Sequence, residues 1–257
     1  MTPLLRWIST ILVCSCGAGI TVLAQAPVRP TSATVEKEKD KEAEPKSGKK
    51  NDIEMVEKLI AARKQYQSTL EQMRIFYERN NDMERKKWAE EELKQFHRVV
   101  KHAYMLELDV PIPTLQPKDN IPEANEMYRK AMSYKEKGFG TDYVDNQRRT
   151  EILLQAILDK YPQSDKIGEV AYQLGDVYEN YRPNAQYRRA AAYYERAFQW
   201  NKTGQSDARL RAARIYDKQL SERSKATELY KEVLSHDTDS TRLREAERRL
   251  GELTGKR

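Results

Sequence analysis

The sequence predicts an all-α protein: a long helical hairpin followed by stacked pairs of shorter helices. Three observations carry this. Glycine and proline number only ten each in 257 residues, few for an architecture of strands and tight turns. Residues 51–110 contain neither, and their apolar side chains recur at helical spacing. In the second half, a pattern of small and aromatic residues returns after 38 positions, the mark of repeated units. The 46 Lys and Arg exceed the 40 Asp and Glu by six, and 33% of residues are charged against 39% hydrophobic. That apolar supply suffices for thin helical layers but lacks the long runs of a buried parallel sheet.

Residues 1–24 have the pattern of an export signal: Arg6 ends a short n-region, Ile8 to Val13 form an apolar h-region, and small residues follow. Cleavage is expected after Ala24, because cleavage after Ala26 would place Pro27 just past the cut. Two other readings stand beside it. Val13-Cys14-Ser15-Cys16 loosely resembles a lipobox in which Cys16 is acylated, and the 18 uncharged residues Trp7 to Ala24 sit at the lower limit for an uncleaved anchor. All three export the remainder to the periplasm or cell envelope, with membrane contact only through that anchor or lipid. Both cysteines lie in this segment, so the rest of the chain holds no disulfide, zinc-thiolate site or thiol nucleophile.

Residues 25–51 are expected to form a disordered, charged linker. From Glu36 onward acidic and basic residues alternate with hardly an apolar side chain, too little to offset chain entropy by burial. Residues 52–105 predict a long antiparallel hairpin. Val56, Leu59, Tyr66, Leu70, Met73 and Tyr77 share one helical stripe, Asn80 to Asp82 mark a turn, and Trp88, Ala89, Leu93, Phe96 and Val100 form the second stripe. The first arm, roughly 28 residues, would be about 42 Å long.

Residues 106–122 predict an extended connector. Leu106, Leu108, Val110 and Ile112 alternate with other residues, and prolines fall at 111, 113, 117 and 122. Two roles are open to it: a plain connector over the hairpin surface, or a resident peptide lying in the protein's own groove.

Residues 123–257 carry the repeat. Ala171, Leu174, Gly175 and Tyr178 are followed by Ala190, Tyr194 and Ala197. The pattern returns as Ala212, Ala213 and Tyr216 with Ala226, Tyr230 and Val233, and its first half recurs at Leu250 and Gly251. A looser copy precedes it at Ala131, Tyr134, Thr150, Leu154, Ile157 and Pro162, stretched by the loop around Gly138 and Gly140. This spacing resembles the tetratricopeptide repeat, with Gly175 and Ala213 at the close-approach position and Ala190, Ala197 and Ala226 facing them. It departs from that pattern in its missing first-helix tryptophan, its repeats longer than 34 residues and the single proline, Pro162. The resemblance implies a right-handed α-solenoid of about three repeats, closed by a charged C-terminal capping helix beginning near Ser240. The YPQS turn and the AYQLGDVY segment are also similar to exported bacterial proteins, among them outer-membrane assembly lipoproteins and periplasmic coordinators of envelope growth.

No catalytic constellation is legible. His97, His102 and His236 are scattered, and there is no HExxH, phosphate-loop or dinucleotide-binding glycine pattern. The chain is expected to be a non-enzyme without metal or cofactor. The resemblance implies a protein or peptide partner on a concave face lined by the first helix of each pair. The residues placed there are Tyr128, Met132 and Lys135, then Tyr172, Asp176 and Asn180, then Leu210, Arg214, Asp217 and Lys218. The mixture of aromatic and charged groups suits a polypeptide better than a polyanion. Arginine pairs such as Arg148–Arg149 and Arg188–Arg189 raise nucleic acid as a partner, but acidic neighbours dilute them, and no specific nucleic-acid binding is expected. Self-association through the long hairpin is the alternative function.

Overall fold

The computed structural model describes residues 46–201 and 207–255. The expected leader, Cys16 and linker residues 25–45 lie outside the described residues. Among the described residues the protein is all-helical, with ten helices and no strand. The first, α1 (Lys46–Arg79), begins inside the segment expected to be disordered and runs for 34 residues; α2 (Met83–Arg98) follows with 16. At 1.5 Å per residue these are about 51 Å and 24 Å, so α2 covers only half of its partner.

Between them Asn81 takes φ 57°, a left-handed conformation that asparagine tolerates better than most residues. Asp82 then caps α2 by accepting from the Arg85 amide at 3.1 Å. Leu70, Ala89 and Leu93 are buried in the seam, and the Tyr66 and Phe96 rings meet edge to face at 5.2 Å. Trp88, placed on that seam by its spacing, is 59% exposed. The apolar stripe of α2 is narrower than the sequence implied, and Ala89 and Leu93 fill it. At the other end Lys101 folds back over the Phe96 ring and donates to the Phe96 carbonyl at 2.7 Å, meeting a helix end whose carbonyls have no helical partner.

Residues 106–122 are not extended throughout, because α3 (Leu106–Asp109) makes a single helical turn. Val110 returns to extended geometry at φ −107° and ψ 129°, as the residue before a proline must. The arm ends beside the Tyr161–Asp165 turn, where Asp119 pairs with Ser164 in a parallel bridge and the Asp165 amide donates to the Asp119 carbonyl at 2.8 Å.

Seven helices follow: α4 (Pro122–Tyr134), α5 (Thr141–Lys160), α6 (Ile167–Glu179), α7 (Tyr187–Trp200), α8 (Ala208–Lys218), α9 (Arg223–His236) and α10 (Ser240–Thr254). Each packs on its neighbours in the chain. Pro122 opens α4, where its missing amide costs nothing. Gly138 and Gly140 take positive φ between α4 and α5, consistent with a helix stop. Arg98 holds α2 against α5 through two bonds to Asp145, at 2.8 and 2.9 Å.

The core is small residues set against tyrosines. Ala171, Ala190, Ala197, Ala212, Ala213, Ala226 and Ala246 are fully buried, as are Tyr178, Tyr193, Tyr194 and Tyr230. Gly175 marks the closest approach, for a Cβ there would lie 2.7 Å from the Tyr194 ring. The sequence pattern set alanines against this position; the structure sets an aromatic face. Each enclosed tyrosine hydroxyl finds an acceptor: Glu151 for Tyr178, the Asp109 carbonyl for Tyr193, Glu179 for Tyr194 and Asp217 for Tyr230. An enclosed hydroxyl without one would cost about 1–3 kcal/mol.

The two arginine pairs each divide between interior and surface. Arg148 and Arg189 are buried; Arg148 lies 3.5 Å from the Tyr181 ring centre and Arg189 stands over Tyr178 and pairs with Asp109. Arg149 and Arg188 face outward. What reads in the sequence as two basic patches is, in space, two internal cations and two surface ones.

Candidate partner-binding groove

The residues expected on the concave face lie on α4, α6 and α8 or just past their ends, and three of them, Lys135, Asp176 and Asn180, bind one another. Lys135, at the end of α4, places its ammonium 2.7 Å from Asp176 on α6. Asp176 also takes Arg211 of α8 at 2.7 Å, so one carboxylate joins three helices. Burial pushes the Asp176 carboxyl up, but hydrogen bonds and charge from Lys135 and Arg211 outweigh it and hold the group below the usual carboxylate range. Tyr172, one turn earlier on α6, donates to Asp207 at 2.9 Å; burial raises its hydroxyl to about 12. The Asn180 side chain donates to the Asp176 carbonyl.

Further along, Arg214 of α8 grips Glu245 of α10 through Nε at 2.7 Å and through Nη2. Asp217 accepts from Arg249 Nε at 2.8 Å and from the Tyr230 hydroxyl at 3.1 Å. Tyr128 and Met132 are half-buried against the core, and Lys218 is exposed. Leu210 is 1% exposed: it belongs to the core and presents no surface to a partner. Its spacing matches Arg214 and Asp217, but the first turn of α8 is sunk deeper than the rest.

These residues do not form one continuous lining. Lys135, Asp176 and Asn180 come together around a hollow of about 260 Å³, while Arg214 and Asp217 belong to a separate set of ion pairs with α10. Five further residues complete the hollow: Glu136 and Val177, each next in the chain to one already placed, and Tyr143, Gln147 and Thr150 of α5. The three from α5 were missed because it counts as the second helix of its pair, which the resemblance assigns to the other face. The sequence does carry a signal, since Gln147 and Thr150 lie three apart on one helical face, with Tyr143 and Val144 a turn before and Leu153 and Leu154 a turn after.

Gln147 is buried and fully engaged: its amide nitrogen donates to the Asn180 carbonyl at 2.8 Å, and its oxygen accepts from the Arg182 amide at 2.9 Å. Thr150 donates to the Asn146 carbonyl at 2.9 Å. The hollow therefore has fixed walls and a mixed set of ammonium, carboxylate, phenol and amide groups at its mouth. That set can hold a polar side chain or a main-chain amide of a visiting polypeptide.

Among the described residues no group of three or more His, Asp or Glu is placed to hold a metal ion, and no helix is long and apolar enough to cross a membrane. Compared with protein-family models, with characterised proteins and with solved structures, the chain has no match.

Proposed function

We propose that the protein is an exported, non-enzymatic adaptor or scaffold of the cell envelope that holds a partner polypeptide along α4, α6 and α8. In this reading the helix pairs α4–α5, α6–α7 and α8–α9 are three units of a right-handed solenoid resembling the tetratricopeptide repeat, α10 is its cap, and the α1–α2 hairpin precedes the first unit. The observation that carries the proposal is the hollow of about 260 Å³ lined by Lys135, Tyr143, Gln147, Asp176 and Asn180, where groups of both charges meet beside a phenol. Opposite charges side by side suit a peptide, which carries donors and acceptors along its length, better than a polyanion. Export rests on the pattern of residues 1–24.

The test is photo-crosslinking in the native host with a benzoyl-phenylalanine placed at Tyr143, Asn180 or Lys218. A shared crosslinked polypeptide from these positions, absent with the same group at Asp159 or Glu228, is expected. Equal products from both sets would overturn the groove.

A second reading, self-association through the hairpin, is favoured by the exposure of Phe76, Met83 and Trp88 around its turn. Sedimentation of the chain without residues 1–24 separates the two, since a strict monomer excludes self-association.

A further inference from the structure

Helix α7 carries a line of four donors aimed at the backbone of the stretch between α2 and α4, residues 101–112. Arg189, Tyr193, Arg196 and Trp200 are spaced by four, three and four residues, which sets them on a single stripe. Arg189 Nη1 donates to the Lys101 carbonyl at 3.1 Å, the Tyr193 hydroxyl to Asp109 at 3.4 Å, Arg196 Nε to Pro111 at 2.7 Å and Trp200 Nε1 to Ile112 at 3.1 Å. All four acceptors are main-chain carbonyls.

Side chains of the segment add to this, for Leu106 and Leu115 pack against the core at its two ends. Asp109 pairs with Arg189 at 2.5 Å and Val110 is buried, whereas Leu108 and Ile112 remain exposed. The segment is thus held as a bound peptide is held, by its backbone, one acidic anchor at Asp109 and aliphatic anchors at Val110 and at its two ends. Pro111 has no amide to satisfy, so its carbonyl is its only main-chain demand, and Arg196 meets it.

We infer that the α7 stripe is a peptide-binding site, occupied in cis by residues 106–115, that accepts from a partner an extended segment with the order acidic, aliphatic, proline, aliphatic. The cis segment is tethered at both ends and enjoys a high effective concentration. A partner segment therefore gains the stripe when the cis segment is weakened or when the partner is itself held nearby. The stripe shares no residue with the hollow lined by Lys135 and Asp176, so failure of one site leaves the other standing.

The test is fluorescence anisotropy of a labelled peptide matching Leu106–Leu115, titrated with the full chain and with its Asp109→Ala, Val110→Ser double variant. Saturable binding to the variant, at least tenfold tighter than to the parent, is expected. Adding Arg196→Met and Trp200→Phe to the variant should abolish it. A variant that keeps its far-ultraviolet circular dichroism and thermal transition yet shows no saturable binding overturns the proposal. Should the double variant not fold, hydrogen exchange on the parent decides. Amides of Leu108 and Val110 opening well before those of α6 and α7 support a releasable occupant, and exchange only through global unfolding overturns it.

Discussion

A Cβ added to Gly175 would fall 2.7 Å from Cδ1 of Tyr194, and the ring cannot swing away, because the Tyr194 hydroxyl donates to Glu179 at 2.7 Å and accepts from Arg211 at 2.8 Å. Alanine at 175 gains about 1 kcal/mol of helix propensity, but overpacking costs about 1–3 kcal/mol and strains the Glu179 and Arg211 bonds as well. Gly175→Ala is expected to lower the melting temperature by several degrees, at roughly 2–4 °C per kcal/mol for a protein of this size. Differential scanning calorimetry checks it, and an unchanged or raised melting temperature would show that α6 and α7 can part without cost.

Adjacent arginines on α7 should behave in opposite ways. Arg189 is buried against Tyr178 and Asp109, so Arg189→Ala strands the Asp109 carboxylate and is expected to cost about 3 kcal/mol. Arg188, whose side chain is 64% exposed, meets Glu222 on the surface, and its removal should change stability by less than about 0.5 kcal/mol. Urea unfolding of the two variants side by side gives the comparison.

Asp176→Asn removes the charge shared by Lys135 and Arg211 and is expected to cost about 1–3 kcal/mol near neutral pH. The native carboxyl titrates lower folded than unfolded, so its stabilisation is present above the ordinary value of 3.8 and is lost as pH falls through the lower folded value. The gap between parent and variant in a melting series should therefore be widest at neutral pH and close only in strong acid. A gap independent of pH would assign the loss to packing rather than charge.

His97 gives the opposite end of the acid limb. Burial, with a smaller push from Lys101 and an opposing pull from Glu71, lowers it from 6.5 to about 4, and its Nε2 is buried without a hydrogen-bond partner. The unfolded chain takes up a proton that the folded chain refuses. Its contribution is whole above pH 6.5 and declines as pH falls toward 4. His97→Gln should flatten the decline in melting temperature between pH 7 and pH 5, and an identical slope in parent and variant would exclude the histidine as its source.

The helical character of the chain was legible because it depends on local spacing. Leu70 and Leu93 are buried on the apolar stripes that their periodicity marks, and Asn81 and Asp82 turn the chain where their side chains favour it. The small residues from Ala171 to Ala226 also announced close helix packing. What covers each of them was not legible, since Tyr194 against Gly175 is a relation between two helices and leaves no mark in either one. Trp88 and Leu210 show the same gap from the other side. One lies on an apolar stripe and is exposed, the other on a polar stripe and is buried, because spacing reports direction around a helix but not how deeply a neighbour overlaps it.

The hollow was half legible. Lys135, Asp176 and Asn180 were among the residues that the tetratricopeptide resemblance implied, whereas Tyr143, Gln147 and Thr150 were not, for α5 enters the site only by packing on both α4 and α6. Burial of Arg148 and Arg189 likewise could not be read from two basic dipeptides, since an arginine is tolerated inside only where another part of the chain brings a carboxylate, carbonyl or aromatic face to it.

The sequence by itself determined that the protein is helical, where its helices turn, and which side chains are small enough to be crossed closely, since these follow from propensity and period along one strand of chain. Only the tertiary structure decided that an acidic residue near position 109 would meet an arginine 80 positions later, and that the carbonyls of a proline-rich arm would find three donors on one helix. The reason is physical. A hydrogen bond or ion pair between distant segments depends on where the whole fold carries each group, and no local pattern encodes that distance.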